Sequence, residues 1–173
     1  MVKLNGTLVL VGAGKMGGAM LEGWLKSGAD PKKIVTLDPG PPQEVKALID
    51  KHGIRHNVPV SSITDAEVIL VAVKPQLMEE ALPAVVPLKV TKPLILSIAA
   101  GKTIASFERH FGSDAAVIRT IPNTPAAVGR GITAMASNGN VSDAQRKLAS
   151  TLLESIGEVV TVDRRATQAA EQG

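Results

Sequence analysis

The sequence contains no cysteine and no tyrosine, and its only aromatic residues are Trp24, Phe107 and Phe111. Without cysteine there can be no disulfide, no thiolate metal site and no cysteine nucleophile, and the composition suits a reducing compartment. So few aromatics give single-stranded nucleic acid nothing to stack on. Charge of one sign is also lacking: 19 Lys and Arg stand against 16 Asp and Glu. Basic pairs such as Lys32-Lys33 and Arg164-Arg165 are isolated rather than gathered into a stripe, so nucleic acid is not an expected partner. Long apolar runs are missing as well. The longest are strand-sized, well below the ~20 residues a membrane helix needs, and Met1-Val2-Lys3-Leu4-Asn5 has no signal-peptide core. A cytoplasmic location without membrane attachment is the expectation. Histidine is sparse: His52, His56 and His110 form no HExxH motif, and Gly53 would break a helix joining the first two, so no metal site is expected.

What the chain has is a regular alternation of short apolar runs and amphipathic segments, and 45% hydrophobic residues are enough for a real core. Strands are expected at Thr7–Val11, Lys33–Leu37, near Ile54, and at Val68–Val73, Leu94–Ser97, Ala116–Ile121, Ile132–Ala136 and Glu158–Val162. Helices are expected between them: Met16–Ser27 ending at Gly28, Gln43–His52 ending at Gly53, Leu77–Val85 after Pro75, and Thr103–Phe111 ending at Gly112. A capping box at Ser142 to Gln145 opens a last helix through Ser155. The pattern predicts an α/β fold, Rossmann-like and doubly wound, with a mostly parallel sheet and helices on both faces. Residues 1–162 form the expected NAD(P)-binding domain. Residues 163–173, polar and alanine-rich, read as a frayed tail or the start of a truncated helical domain.

The first strand runs straight into Gly12-x-Gly14-x-x-Gly17 and then a helical pattern, the context a dinucleotide fingerprint requires. Gly12 would make the tight turn, Gly14 would admit a pyrophosphate, and Gly17 would let helix and strand pack closely. Gly12, Ala13, Gly14, Lys15, Met16 and Gly17 are therefore expected to cradle phosphate at a helix N-terminus. Asp38, about 20 residues beyond Gly17 and ending the next strand, is placed to accept from a ribose hydroxyl. It also precedes Pro39-Gly40, where an Asp often does no more than shape a turn. A carboxylate there repels a 2′-phosphate, and no Lys or Arg follows until Lys46. Both facts favour NAD over NADP without deciding between them.

Three further segments lie at expected strand carboxyl ends, where open α/β sheets bind ligands. Ala72-Val73-Lys74-Pro75 combines small side chains with a proline-fixed backbone, and Lys74 either counters a pyrophosphate or substrate carboxylate or is simply solvated. Ser97-Ile98-Ala99-Ala100-Gly101 leaves room for a flat ring. Pro122-Asn123-Thr124-Pro125 fixes a loop whose Asn123 and Thr124 can face the same crevice and position a carboxamide or a substrate.

Taken together, Val71-Ala72-Val73-Lys74-Pro75-Gln76, Ser97 to Gly101 and Arg119 to Pro125, followed by Val128-Gly129 and Gly131, resemble the pyrroline-5-carboxylate reductases. The resemblance covers about residues 4 to 162. It implies hydride transfer from NADPH or NADH to the cyclic imine 1-pyrroline-5-carboxylate, giving proline. It further implies that Ile98, Ala99 and Ala100 line the nicotinamide and that Asn57 sits near the adenosine, although Asn57 also reads as a turn residue. Members of that family continue into a helical domain that dimerises and carries a Ser-Gly-Ser-Gly-Pro-Ala-Tyr segment, which has no match here. Homo-oligomerisation of the full-length protein is therefore expected to run through that domain. The chain has no evident general acid, since Glu108 and His110 read as solvated, so cofactor binding with little or no turnover is expected of it alone. Alternatives at this stage are a nucleotide-binding regulatory module without catalysis, or another imine or β-hydroxyacid reductase.

Overall fold

In the computed structural model, which describes residues 2–99, 101–123 and 132–161, eight strands form one sheet in the order β3-β2-β1-β4-β5-β6-β7-β8. The strands are β1 (Thr7–Val11), β2 (Ile34–Leu37), β3 (Arg55–His56), β4 (Ala66–Val71), β5 (Leu94–Ser97), β6 (Ala116–Asn123), β7 (Ile132–Ser137) and β8 (Glu158–Thr161). The first six run parallel. The seventh turns antiparallel to β6, and β8 runs parallel to β7. The order in which strands are added reverses between β1 and β4, which opens a crevice at their carboxyl ends. This is the expected doubly wound, mostly parallel α/β fold.

Helices α1 (Lys15–Lys26), α2 (Gln43–His52) and α5 (Asp143–Leu153) cover one face, and α3 (Met78–Val85) and α4 (Ile104–Phe111) the other. Each strand feeds alternate side chains to the two layers: Leu8 and Leu10 pack under α1 and α2, while Val9 and Val11 pack under α3 and α4. Trp24 is buried in the first layer and donates from Nε1 to the Leu152 carbonyl at 2.9 Å, fastening α1 to α5. The expected punctuation recurs. Gly28, Gly53 and Gly112 take positive φ behind α1, α2 and α4, and the Ser142 and Gln145 capping box is formed in both directions.

Boundaries differ where geometry was not local. Strand β4 begins at Ala66 and stops at Val71, leaving Ala72 and Val73 in the crevice rather than in the sheet. A 3-10 turn over Pro75–Leu77 precedes α3, and another over Glu154–Ile156 follows α5, which ends at Leu153. Pro122 and Asn123, expected in a loop, extend β6 and pair with Thr133 and Ile132. Pairing between β5 and β6 stops at Ser97 with Arg119, so the ladder asks no N–H of Pro122 on that side. Among the described residues, no helix is long and apolar enough to cross a membrane.

Candidate cofactor site

A cleft of about 1100 Å³ opens at the carboxyl ends of β1, β2 and β4. Its floor is the glycine loop, and the three glycines serve three different ends. Gly12 sits at φ +93, and a Cβ there would meet Ala72 C and Val73 N at 2.9 Å, so both dihedral and space demand glycine. Gly17 abuts the strand, since a Cβ would lie 2.5 Å from the Gly12 carbonyl oxygen. Gly14 has ordinary φ, and a Cβ would meet nothing within 4 Å. Neither backbone strain nor packing requires glycine at that position. A methyl group would project into the cleft, which is the cradle a phosphate needs if it is to reach the backbone.

Helix α1 starts from Gly14 with no side-chain cap and no acidic residue in its first turn. Its first-turn N–H groups, which have no intrahelical acceptors, give this end of the cleft a positive potential. Along the rim, Asp38 Oδ2 accepts from Ala13 N at 2.7 Å and Oδ1 accepts from Gly40 N at 2.8 Å. Asp38 thus shapes the turn and lines the cleft. Two backbone donors leave a carboxylate further lone pairs for hydroxyl groups. Asn57, in left-handed conformation at φ 52, grips the Asp38 backbone from behind, accepting from its N–H and donating to its carbonyl, each at 2.8 Å. Lys46 is paired along α2 with Asp50 at 3.9 Å.

Of the expected binding residues, Gly12, Gly14, Lys15, Asp38, Asn57, Ala72, Val73 and Lys74 line the cleft. Ala13 contributes through its N–H to Asp38, and Gly17 through packing. Met16, half exposed in the first turn of α1, and Pro75, which opens the 3-10 turn, do not line it. Ile98 and Ala99 stand one strand further along the same edge, stitched to it by Ile98 N to Val71 O at 3.0 Å and Ala99 N to Ser97 Oγ at 3.1 Å. The backbone places Asn123 at the end of β6. Ala100, Thr124, Pro125, Val128, Gly129, Gly131 and the segment 163–173 lie outside the described residues.

Sequence reasoning missed the far wall, where Leu77, Ala81, Ala84 and Val85 line the cleft from α3 and the turn before it. Their spacing is helical, but alanines on such a stripe do not tell an opening from a core. Glu108 and His110 are not simply solvated. Glu108 accepts from Asn138 Nδ2 at 3.3 Å, and His110 Nε2 lies 3.3 Å from Glu79 Oε2, so they tie α4 to its neighbours and do not line the cleft. No group of three or more His, Asp or Glu among the described residues is arranged to hold a metal ion.

Fold and cleft together define a class, the Rossmann-type dinucleotide-binding domains. More specifically, the chain belongs to the family described as NADP oxidoreductase, coenzyme F420-dependent, whose model matches residues 7–101. It is 34% identical over 163 residues to the pyrroline-5-carboxylate reductase of Pseudomonas aeruginosa, covering 92% of this chain and 58% of that protein. Among solved structures it resembles a pyrroline-5-carboxylate reductase from Coxiella burnetii, with TM-score 0.80, 25% identity, and coverage of 92% of this chain and 60% of that one. The Plasmodium falciparum pyrroline carboxylate reductase with NADP bound shares the fold, at TM-score 0.74 and 23% identity over 96% of this chain and 61% of that chain. The resemblance read from the loop motifs is borne out, and the chain spans a little under three fifths of the length of the Pseudomonas relative.

Proposed function

We propose that this chain is the cofactor-binding part of an NAD(P)H-dependent pyrroline-5-carboxylate reductase. The observation that carries the reading is Gly14, which is glycine for no internal reason and stands over an open cleft at an uncapped helix N-terminus. The backbone at Gly14 and Lys15 holds the pyrophosphate, while the Gly12 and Ala13 N–H groups are spent on Leu37 O and Asp38. Asp38 accepts from the adenosine ribose, and Ala72 to Lys74 give the chain of phosphates and sugars a surface toward β5. Bound there, a reduced nicotinamide would supply a hydride to the imine carbon of 1-pyrroline-5-carboxylate protonated on its ring nitrogen, leaving proline and the oxidised nicotinamide. Ile98 and Ala99 after β5 and Asn123 at the end of β6, with Ala100 and Thr124 next to them in sequence, orient the nicotinamide and the imine at close range and exclude water between them.

The cofactor preferred is NADH. The 2′-phosphate of NADPH would fall beside the Asp38 carboxylate, and Lys46, the next base in the sequence, is engaged along α2. The test is a fluorescence titration with NADH and NADPH, followed by 1-pyrroline-5-carboxylate added to the protein expressed from its complete reading frame. Saturable NADH binding, weaker NADPH binding and formation of proline are expected. A folded protein that binds neither dinucleotide would overturn the cofactor site. One that binds but forms no proline would leave a nucleotide-binding module without this activity.

A further inference from the structure

His56 belongs to none of the roles given so far, yet it closes a chain of hydrogen bonds that ends on the glycine loop. Its Nδ1 lies 2.8 Å from the hydroxyl of Thr36, its register partner on β2, and its Nε2 lies 3.2 Å from Asn57 Nδ2. The orientation of the Asn57 amide is fixed by its two bonds to Asp38, since Oδ1 must accept from the Asp38 N–H and Nδ2 must donate to the carbonyl. The second hydrogen of Nδ2 therefore points at His56 Nε2, which has to accept it. The ring is then neutral, with its proton on Nδ1 donated to Thr36 Oγ1. From Asn57 the chain continues through Asp38 to Ala13 N.

We propose that His56 is a positioning residue for the adenosine end of the cofactor, holding Asp38 through Asn57 while neutral and releasing it on gaining a proton at Nε2. A proton at that nitrogen sets a donor against a donor. Flipping the Asn57 amide does not relieve this, because it would turn Nδ2 toward the Asp38 N–H. The protonated ring thus gives up its bond to Asn57, which leaves the amide unbraced, or the amide gives up one of its two bonds to the Asp38 backbone. The other charged groups around the ring do not substitute for this. Arg55, beside it on β3, directs its guanidinium toward Thr7 and the Lys32 carbonyl, and Asp38 is reached through Asn57. On α2, Glu44, Lys46, Asp50 and Lys51 are exposed, and His52 is the half-buried titratable group on the buried side of that helix.

The proposal deepens the cofactor reading and rests on it, so its test uses ADP-ribose, which carries the adenosine and pyrophosphate, is stable to mild acid and needs no turnover. Calorimetric titration of the protein at pH 8 and pH 5.5 spans the range in which histidine changes charge. The dissociation constant is expected to rise about three- to tenfold on acidification, the scale of one lost hydrogen bond. In His56→Gln, whose amide oxygen can still accept from Asn57, affinity at pH 8 should stay within about twofold of the parent and the pH profile should be flat. His52→Gln should keep the parent slope. Two-bond proton–nitrogen spectra of the imidazoles should show the Nδ1-protonated tautomer of His56 at pH 8. A flat profile in the parent, a slope that persists in His56→Gln, or the opposite tautomer would overturn the role of His56 while leaving the cofactor site standing. Failure of ADP-ribose to bind at pH 8 would remove both.

Discussion

The two ends of the crevice are built by different means. At the β1–β3 end, side chains hold the backbone: Asp38 ties Ala13 to Gly40, Asn57 clamps Asp38, and His56 braces Asn57. At the β4–β6 end, the backbone climbs from strand to strand through Ala72 N to Val11 O and Ile98 N to Val71 O, with the Thr120 hydroxyl donating to Ser97 O beyond them. Small side chains there leave space instead of filling it. In the proposed reading, the first end is preorganised for a sugar and a phosphate by polar groups of fixed aim. The second offers a surface whose selectivity depends on what lies across it.

Breaking the glycine loop should produce the largest effect and separate its two jobs. In Gly12→Ala, a residue forced to φ +93 also pushes a methyl into the Ala72 and Val73 backbone, which has no side-chain freedom to give. A loss of about 3 kcal/mol in stability is expected, or roughly 10 °C in Tm for a chain of this size, along with loss of dinucleotide binding. Gly14→Ala should keep Tm within about 2 °C, because the methyl meets open space, yet weaken NADH about tenfold or more by keeping the pyrophosphate off the backbone. Thermal melts and fluorescence titrations on the pair check this. If Gly14→Ala binds NADH like the parent, Gly14 does not face the cofactor.

The next effect sharpens the contrast in cofactor charge. Asp38→Asn removes the negative charge and keeps an oxygen for Ala13 N, while its Nδ2 faces the Gly40 N–H and gives up that turn bond. NADH affinity should fall about three- to tenfold, the cost of exchanging a charged acceptor for a neutral one. NADPH affinity should fall less or rise, since the like charge facing its 2′-phosphate is gone. An equal loss for both cofactors would mean that Asp38 acts only on the turn.

How far the sequence revealed each end follows the same division. Gly12, Gly17, Asp38 and Gly53 were legible because each answers to a local rule: a positive φ, a close approach, a strand-end carboxylate, a helix stop. Strand β1 and helix α2 were read to the residue for the same reason. Pro122 was misread because its tolerance inside β6 depends on where β5 stops pairing, which no local pattern records. Ala81 and Ala84 went unread as cleft residues because alanine on a helix looks alike facing a core or an opening. Asn57 was read as a turn residue and, through the family resemblance, as near the adenosine. Its grip on Asp38 and the link onward to His56 require β2 and β3 to be paired, a contact between segments about 20 residues apart.

The smallest expected effect tests whether the β4–β6 end uses any charge at all. Lys74 lines the cleft but is exposed, and it opens the turn before α3 with an extended backbone and no side-chain cap. Its ammonium has no hydrogen-bond or ion-pair partner among the described residues, and an exposed charge pair contributes little once solvent screens it. Lys74→Met keeps the apolar stem and removes the charge. NADH affinity should drop less than about threefold at low ionic strength, and the difference should vanish near 0.5 M salt, where the screening length is only a few ångströms. Tm should not change, because no packing or capping contact is lost. A drop of tenfold or more that survives high salt would mean that Lys74 is clamped onto the pyrophosphate when cofactor binds. The β4–β6 end would then hold its ligand with a fixed charge, much as the β1–β3 end does with Asp38.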